Sequence, residues 1–174
     1  MGQISFAIAQ AARDLGVHLA TGVPVAEILL GEGVRLEGGE LIRAAVIVSN
    51  ADPRRTLGLV DPAAVPGDYR ARVDGWQLRS PVVCPTSFAP DVFDCVAEYE
   101  VLGPPDIERR IGLTGGHIFQ GETMPGQMWE HRLAARTPVP GLYLCGAATH
   151  PAGSVIALNG RNAAMAVLAD TAPA

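Results

Sequence analysis

Gly141-Leu-Tyr-Leu-Cys-Gly-Ala-Ala-Thr-His-Pro-Ala-Gly-Ser-Val-Ile-Ala-Leu-Asn-Gly-Arg-Asn-Ala-Ala164 decides how the rest of this chain reads. Leu142 to Cys145 is a short apolar run with aromatic content, suited to a buried strand. Gly146 lets the backbone turn free of a Cβ, and a loop of small residues then leads into an apolar helix predicted from about Val155 to Ala169. A strand, a glycine turn and a helix start together present free backbone N–H groups at a favourable dipole end. Such a place suits an anionic or strongly polar ligand.

Outward from there, Ala45 to Ser49 is a continuous run that predicts a strand buried on both faces. Before it, Ile4, Ile8, Ala11, Ala12 and Leu15 fall on one helical stripe, and Gly16 is placed to end that helix. Val17 to Ala20 reads as a strand, with a turn at Thr21-Gly22, and Val23 to Leu30 as a second extended run. Gly31-Glu-Gly33 and Gly38-Gly39 then punctuate short strands at Val34–Glu37 and Glu40–Arg43. These pieces predict a small antiparallel β-meander over residues 23–43. Asp52-Pro53 has the chemistry of a helix start, Asp as N-cap and Pro in the first helical position. Residues 61 to 105 carry many of the prolines and show little periodicity, and Asp106 to Ile111 predicts a short helix. The fold class is therefore α/β, a parallel sheet with helices plus the meander.

Composition narrows the function. The chain of 174 residues is 48% apolar, with positive mean hydropathy, as expected of a globular protein. All 13 basic residues are arginine, and a net charge of −5 offers no electrostatic case for nucleic acid. Arg54-Arg55 and Arg109-Arg110 read as solvated surface pairs. Cys84, Cys95 and Cys145 are odd in number and lack C-x-x-C spacing, so neither a zinc site nor a disulfide framework is expected, and a reducing cytoplasm is the simplest home. No apolar run approaches the roughly 20 residues of a bilayer span. Arg13 and Asp14 interrupt the first helix and argue against a secretory signal, while Phe6 breaks the myristoylation pattern.

Three stretches carry a family resemblance. The tail quoted above closely resembles the C-terminal flavin-contacting segment of the phytoene desaturase-like FAD-dependent oxidoreductases, within the amine-oxidase-like flavoprotein superfamily. Leu113-Thr-Gly-Gly-His-Ile-Phe-Gln-Gly-Glu122 looks like the segment just upstream of it, and Val46-Ile-Val-Ser-Asn-Ala-Asp-Pro-Arg-Arg55 like the segment closing the FAD-binding half. The resemblance implies part of a two-dinucleotide-binding-type fold, in which residues 45–49 and 142–145 share a sheet as interior strands. It also implies FAD as cofactor and removal of hydride from an apolar substrate, as in a dehydrogenase or desaturase. The family's G-x-G-x-x-G strand–turn–helix is not in this sequence. Its long substrate-domain excursion is represented by a few residues around Pro81–Ser87. The chain is thus expected to be a truncated member. Residues 1–60 would be the second part of the FAD-binding-type domain with the meander, 61–105 a shortened substrate-domain remnant, and 106–174 the C-terminal FAD-binding-type segment.

Carried over by position, Val25 would meet the adenine through its backbone, although a strand valine in the core explains it somewhat better. Ser49 and Asn50 stand at a strand end where open α/β sheets place ligands, and Asn50 also reads as a turn former beside a capping Asp. Gly146, Thr149 and His150 match the turn into the flavin-facing helix, and Val155, Ile156 and Gly160 would flank the pyrimidine end of the flavin. Ala152 and Ser154 stand where the family commonly has glycine. His117, Gln120 and Glu122 form a polar rim with no second His or Cys at metal-ligand spacing. An acid–base role is open to His117 or Glu122, but flavin chemistry needs no such residue, and no catalytic residue is assigned. Without the diphosphate cradle the chain alone is expected to bind FAD weakly or not at all. The alternatives are a cofactor-free remnant acting as an interaction or accessory module, a homodimer in the simplest case, or one part of a split enzyme completed by a chain carrying the G-x-G-x-x-G unit.

Overall fold

The computed structural model describes residues 2–78, 102–151 and 157–172, and among these two small sheets and five α-helices organise the chain. The first sheet is the expected meander: β1 (Val25–Leu29), β2 (Gly33–Leu36) and β3 (Leu41–Arg43), antiparallel in the order β1-β2-β3. The second is parallel, β4 (Ile47–Ser49) beside β5 (Leu142–Leu144), with Ile47 opposite Leu142 and Ser49 opposite Leu144. The pairing of the two distant runs is as expected. Their placement as interior strands is corrected: this sheet has two strands among the described residues. Nor is β4 buried on both faces, because Val48 on its outer face is 45% exposed while all three residues of β5 are buried.

α1 (Gly2–Asp14) forms as predicted, and Gly16, at φ +86°, supplies the left-handed residue that ends it. Its apolar stripe is not covered by described residues: Ile4, Phe6, Ile8 and Leu15 are all exposed, Leu15 at 86%. Val17–Ala20 is not a strand. It is extended-type sequence without a ladder, since none of its residues pairs with a described strand.

α2 (Pro53–Gly58) begins as expected, with Asp52 Oδ1 accepting from the Arg55 N–H at 3.1 Å. Arg54 does not behave as a solvated surface arginine. Its guanidinium donates to the carbonyls of Val73, Asp74 and Trp76, fastening the C-terminal end of α3 (Gly67–Asp74) onto α2. A cation satisfying orphan carbonyls at a helix C-terminus is favourable for both groups. The core lies between these helices, the parallel sheet and the segment 133–148, and is built from Leu57, Val60, Val73, Trp76, Leu133, Val139, Leu142 and Leu144. Ile28 joins it from the meander, where its N–H donates to Leu59 O at 2.7 Å. Burial in this neighbourhood pushes the Tyr69 hydroxyl up to about 12.

α4 (Pro104–Ile111) and α5 (Leu158–Thr171) complete the chain, each a few residues from its expected bounds. On α5, Asp170 accepts from Arg136 and from the Tyr143 hydroxyl, tying the helix to β5. The Arg136 and Tyr143 bonds hold the Asp170 carboxyl below the usual carboxylate range. Between α3 and the site, the Gln127 side chain makes two bonds to the Gln77 backbone, accepting from its N–H at 2.8 Å and donating to its carbonyl at 3.1 Å. Cys84, Cys95 and the short stretch at 81–87 lie outside the described residues. No helix among the described residues is long and apolar enough to cross a membrane.

Candidate functional site

Parallel strands end on the same side of a sheet, so β4 and β5 deliver their C-terminal residues to one place. Asn50 follows β4 there, and Cys145, Gly146 and Ala147 follow β5. The Cys145 N–H donates to Ser49 O at 2.9 Å, which keeps the two chain ends together. Two further elements close around them. One is the turn at Ile118–Gln120; the other is the start of α5, with Ala157, Asn159 and Gly160. The result is a cavity of about 580 Å³, within the roughly 300–1,000 Å³ of small-molecule sites.

Each wall is fixed by bonds behind it. The Gly146 carbonyl accepts from the Thr149 N–H at 3.1 Å, the Thr149 hydroxyl at 2.9 Å and Asn159 Nδ2 at 3.2 Å. Asn159 also donates to Thr149 O at 2.8 Å, locking the first turn of α5 to the glycine turn. Gln120 sits at φ +51°, a left-handed conformation uncommon outside glycine, and its carbonyl accepts from the Trp76 indole at 2.9 Å. Its side-chain oxygen accepts from the Ala148 N–H at 3.3 Å. Gly146 permits this close approach, for a Cβ there would lie 2.6 Å from that oxygen. Arg132 reaches beneath the turn to the Phe119 and Gly121 carbonyls, and burial pushes its guanidinium down from its ordinary value. Asp52 Oδ2 accepts from the N–H and the hydroxyl of Thr114, anchoring the start of the same segment to α2.

The lining is uncharged. Asn50, Gln120 and Asn159 are carboxamides, Ile118, Phe119 and the alanines are apolar, and burial pushes the Cys145 thiol up, keeping it protonated at neutral pH. The N-cap position of α5, Ala157, makes no side-chain cap, and it lines the cavity together with Asn159 and Gly160 of the first turn. This donor set suits a planar, uncharged heterocycle with carbonyl or ring-nitrogen edges. Among the described residues the lining holds no cation for a diphosphate and no acid–base group for proton transfer.

Of the residues predicted from sequence, Asn50 and Gly160 line this cavity, with Gly146 and Thr149 immediately behind its wall. Ser49 is turned to structure, its hydroxyl 2.7 Å from the Thr56 hydroxyl. His150 lines a different cavity with Arg136, Asn162 and Met165, and its Nδ1 is 3.0 Å from Trp129 O. Val25 opens β1 opposite Leu36, is 37% exposed, and does not line the cavity. Val155 and Ile156, like Ala152 and Ser154, lie outside the described residues. His117 and Glu122 are both buried, with Nε2 and Oε1 3.8 Å apart, and stand behind the turn instead of forming a rim. Asn159, Cys145, Ile118 and Phe119 are not expected from the sequence as site residues, and Gln120 only as part of the polar rim. For Asn159 a signal was present, an amide side chain between Leu158 and Gly160 at the start of the helix. Among the described residues there is no group of three or more His, Cys, Asp or Glu placed to hold a metal ion.

Comparison with known proteins adds a partial relationship. The chain is 40% identical over 100 residues to pyridine nucleotide-disulfide oxidoreductase domain-containing protein 2 of Mus musculus, and equally to that of Rattus norvegicus. The match covers 48% of this chain and 17% of each relative. No family model and no solved structure matches it.

Proposed function

We propose that this chain supplies the flavin-ring side of the cofactor site in an FAD-dependent oxidoreductase of the dehydrogenase or desaturase kind, phytoene desaturase-like and acting on an apolar substrate. One observation carries the reading: an uncharged, amide-lined cavity at the carboxyl ends of two parallel strands, beside an uncapped helix start. The oxidoreductase name of the mouse and rat relatives supports the same general class. When bound, FAD supplies the hydride acceptor. The chain's own residues would do the rest. Asn50 and Gln120 hydrogen-bond the ring edge, Phe119 and Ile118 pack on it and exclude water, and Asn159 holds the helix start against the glycine turn. Residues 1–60 and 106–174 would then form the cofactor half and residues 61–105 the substrate side.

The uncharged lining gives this reading a sharp test. FAD and lumiflavin, the bare ring, are expected to bind the chain alone with affinities within about threefold of each other and dissociation constants above about a micromolar. No described group rewards the diphosphate, and micromolar binding needs roughly 8 kcal/mol. Gly160→Leu is the matching variant. An added Cβ at Gly160 meets nothing within 4 Å, so a leucine there projects into the cavity while favouring the helix by about 0.5–1 kcal/mol. Fluorescence quenching should show saturable flavin binding to the parent chain, and none to a Gly160→Leu protein that melts at or above the parent temperature. Equal binding by both would remove the ring from this cavity.

A second reading, an oligomeric interaction module without cofactor, draws on the exposed stripe of α1 together with Val17, Leu19 and Val48. Apolar surface of this kind is commonly covered by a partner, a second copy or a complementary chain in a reducing cytoplasm. Light scattering at micromolar concentration is expected to give a dimer or larger; a stable monomer would count against this reading.

A further inference from the structure

Within that site, and resting on the flavin reading, we infer that Gln120 is the residue selecting what the ring edge must present: its amide nitrogen is a fixed donor that accepts only a ligand with a hydrogen-bond acceptor at that point. The orientation of a glutamine amide follows from its partners. Here one partner is the Ala148 N–H, which can only donate, so the side-chain oxygen faces Ala148 and the nitrogen faces away from it. That nitrogen makes no hydrogen bond with the described residues, although Gln120 is buried and lines the cavity. The backbone leaves the side chain little choice. Its carbonyl is held by the Trp76 indole, its N–H donates to His117 O at 2.8 Å, and φ is left-handed. With the backbone held in this way and the amide oxygen held by Ala148, the donor is preorganised, and a ligand atom that cannot accept from it leaves a buried N–H unsatisfied. Asn50, also in the lining, makes no side-chain hydrogen bond with the described residues and is exposed, so it can turn its amide to suit either polarity. Discrimination therefore rests on Gln120. The ligand chemistry it selects is a ring carbonyl or an unprotonated ring nitrogen.

Two substitutions test this. Gln120→Glu keeps an oxygen for the Ala148 N–H and replaces the donor with an acceptor; Gln120→Met keeps the length and removes both the donor and the oxygen that accepts from the Ala148 N–H. The probe is lumiflavin, followed by fluorescence quenching and by the position of its bound visible absorption band, which responds to hydrogen bonds at the ring carbonyls. Thermal melts of each protein accompany the titrations. Affinity is expected to fall roughly three- to tenfold for Gln120→Met and at least tenfold for Gln120→Glu, with the bound absorption band displaced in Gln120→Met. If Gln120→Glu does not fold, the band and affinity of Gln120→Met decide alone. Folded variants that bind with parental affinity and an unmoved band would overturn the role of Gln120 while leaving the flavin reading intact. A folded parent chain that shows no saturable quenching would overturn both.

Discussion

Gly121→Ala is expected to leave no cooperatively folded protein. Gly121 adopts φ +155°, and a Cβ on it would lie 2.3 Å from Trp76 Nε1 and 2.5 Å from Arg132 Nη1. Neither neighbour is a loose end. The indole N–H is committed to Gln120 O, and the guanidinium to the carbonyls of Phe119 and Gly121. Relief would require breaking those bonds and moving a core tryptophan, which belongs among the exceptional losses of more than about 4 kcal/mol. Set against a typical total of about 5–15 kcal/mol, that is enough to unfold a small domain. Gly126→Ala is the control from the same segment, since a Cβ there meets nothing within 4 Å. Circular dichroism melts should show a parental transition for Gly126→Ala and none for Gly121→Ala. A cooperative melt for Gly121→Ala within a few degrees of the parent would show that the turn relaxes.

Asp52→Ala should cost about 2–4 kcal/mol. The carboxylate is buried and accepts three hydrogen bonds: from the Arg55 N–H as helix cap, and from the N–H and the hydroxyl of Thr114. A lost cap alone costs about 0.5–2 kcal/mol, and hydrogen bonds to a charged group about 1.5–3 each, with part recovered by solvent. Asp52→Asn should recover only part of the loss, because its amide nitrogen would face either the Arg55 N–H or the Thr114 donors. Urea unfolding is the measurement, with the midpoints ordered parent, Asp52→Asn, Asp52→Ala. Because Asp52 fastens the 113–122 segment to α2, both variants should also weaken lumiflavin binding at neutral pH. Equal midpoints for parent and alanine variant would mean that α2 and the turn hold together without it.

Local chemistry made part of this architecture legible. Asp52-Pro53 is a cap pattern that acts within four residues, and it acts here. Gly31, Gly33, Gly38 and Gly39 flank short alternating runs, and the meander follows. The 45–49 and 142–145 runs found each other because both are apolar and bounded by turns, although the resemblance supplied the pairing. What failed was what depends on distant surroundings. Val17–Ala20 has strand composition, but a strand is a ladder and no described residue offers it one. α3 was invisible because Val73 is its only fully buried residue, which leaves no stripe to see. Gln120 was read as one polar residue in a glycine-rich stretch. Its importance comes from Trp76, 44 positions earlier, and Ala148, 28 later, which meet it only in three dimensions.

The parallel pairing of β4 with β5 has a kinetic and evolutionary consequence. Ile47–Ser49 and Leu142–Leu144 meet only after everything between them has been looped back. The site therefore depends on a late, long-range contact, and hairpins such as the meander should form well before it. The same loop makes the site indifferent to how long the excursion is. Closure entropy grows with the logarithm of loop length, so doubling the intervening chain costs only about 0.6 kcal/mol. Material can be added to or removed from the middle of such a chain with little penalty at the strand ends, so the intervening segment is free to diverge while the cavity stays as it is.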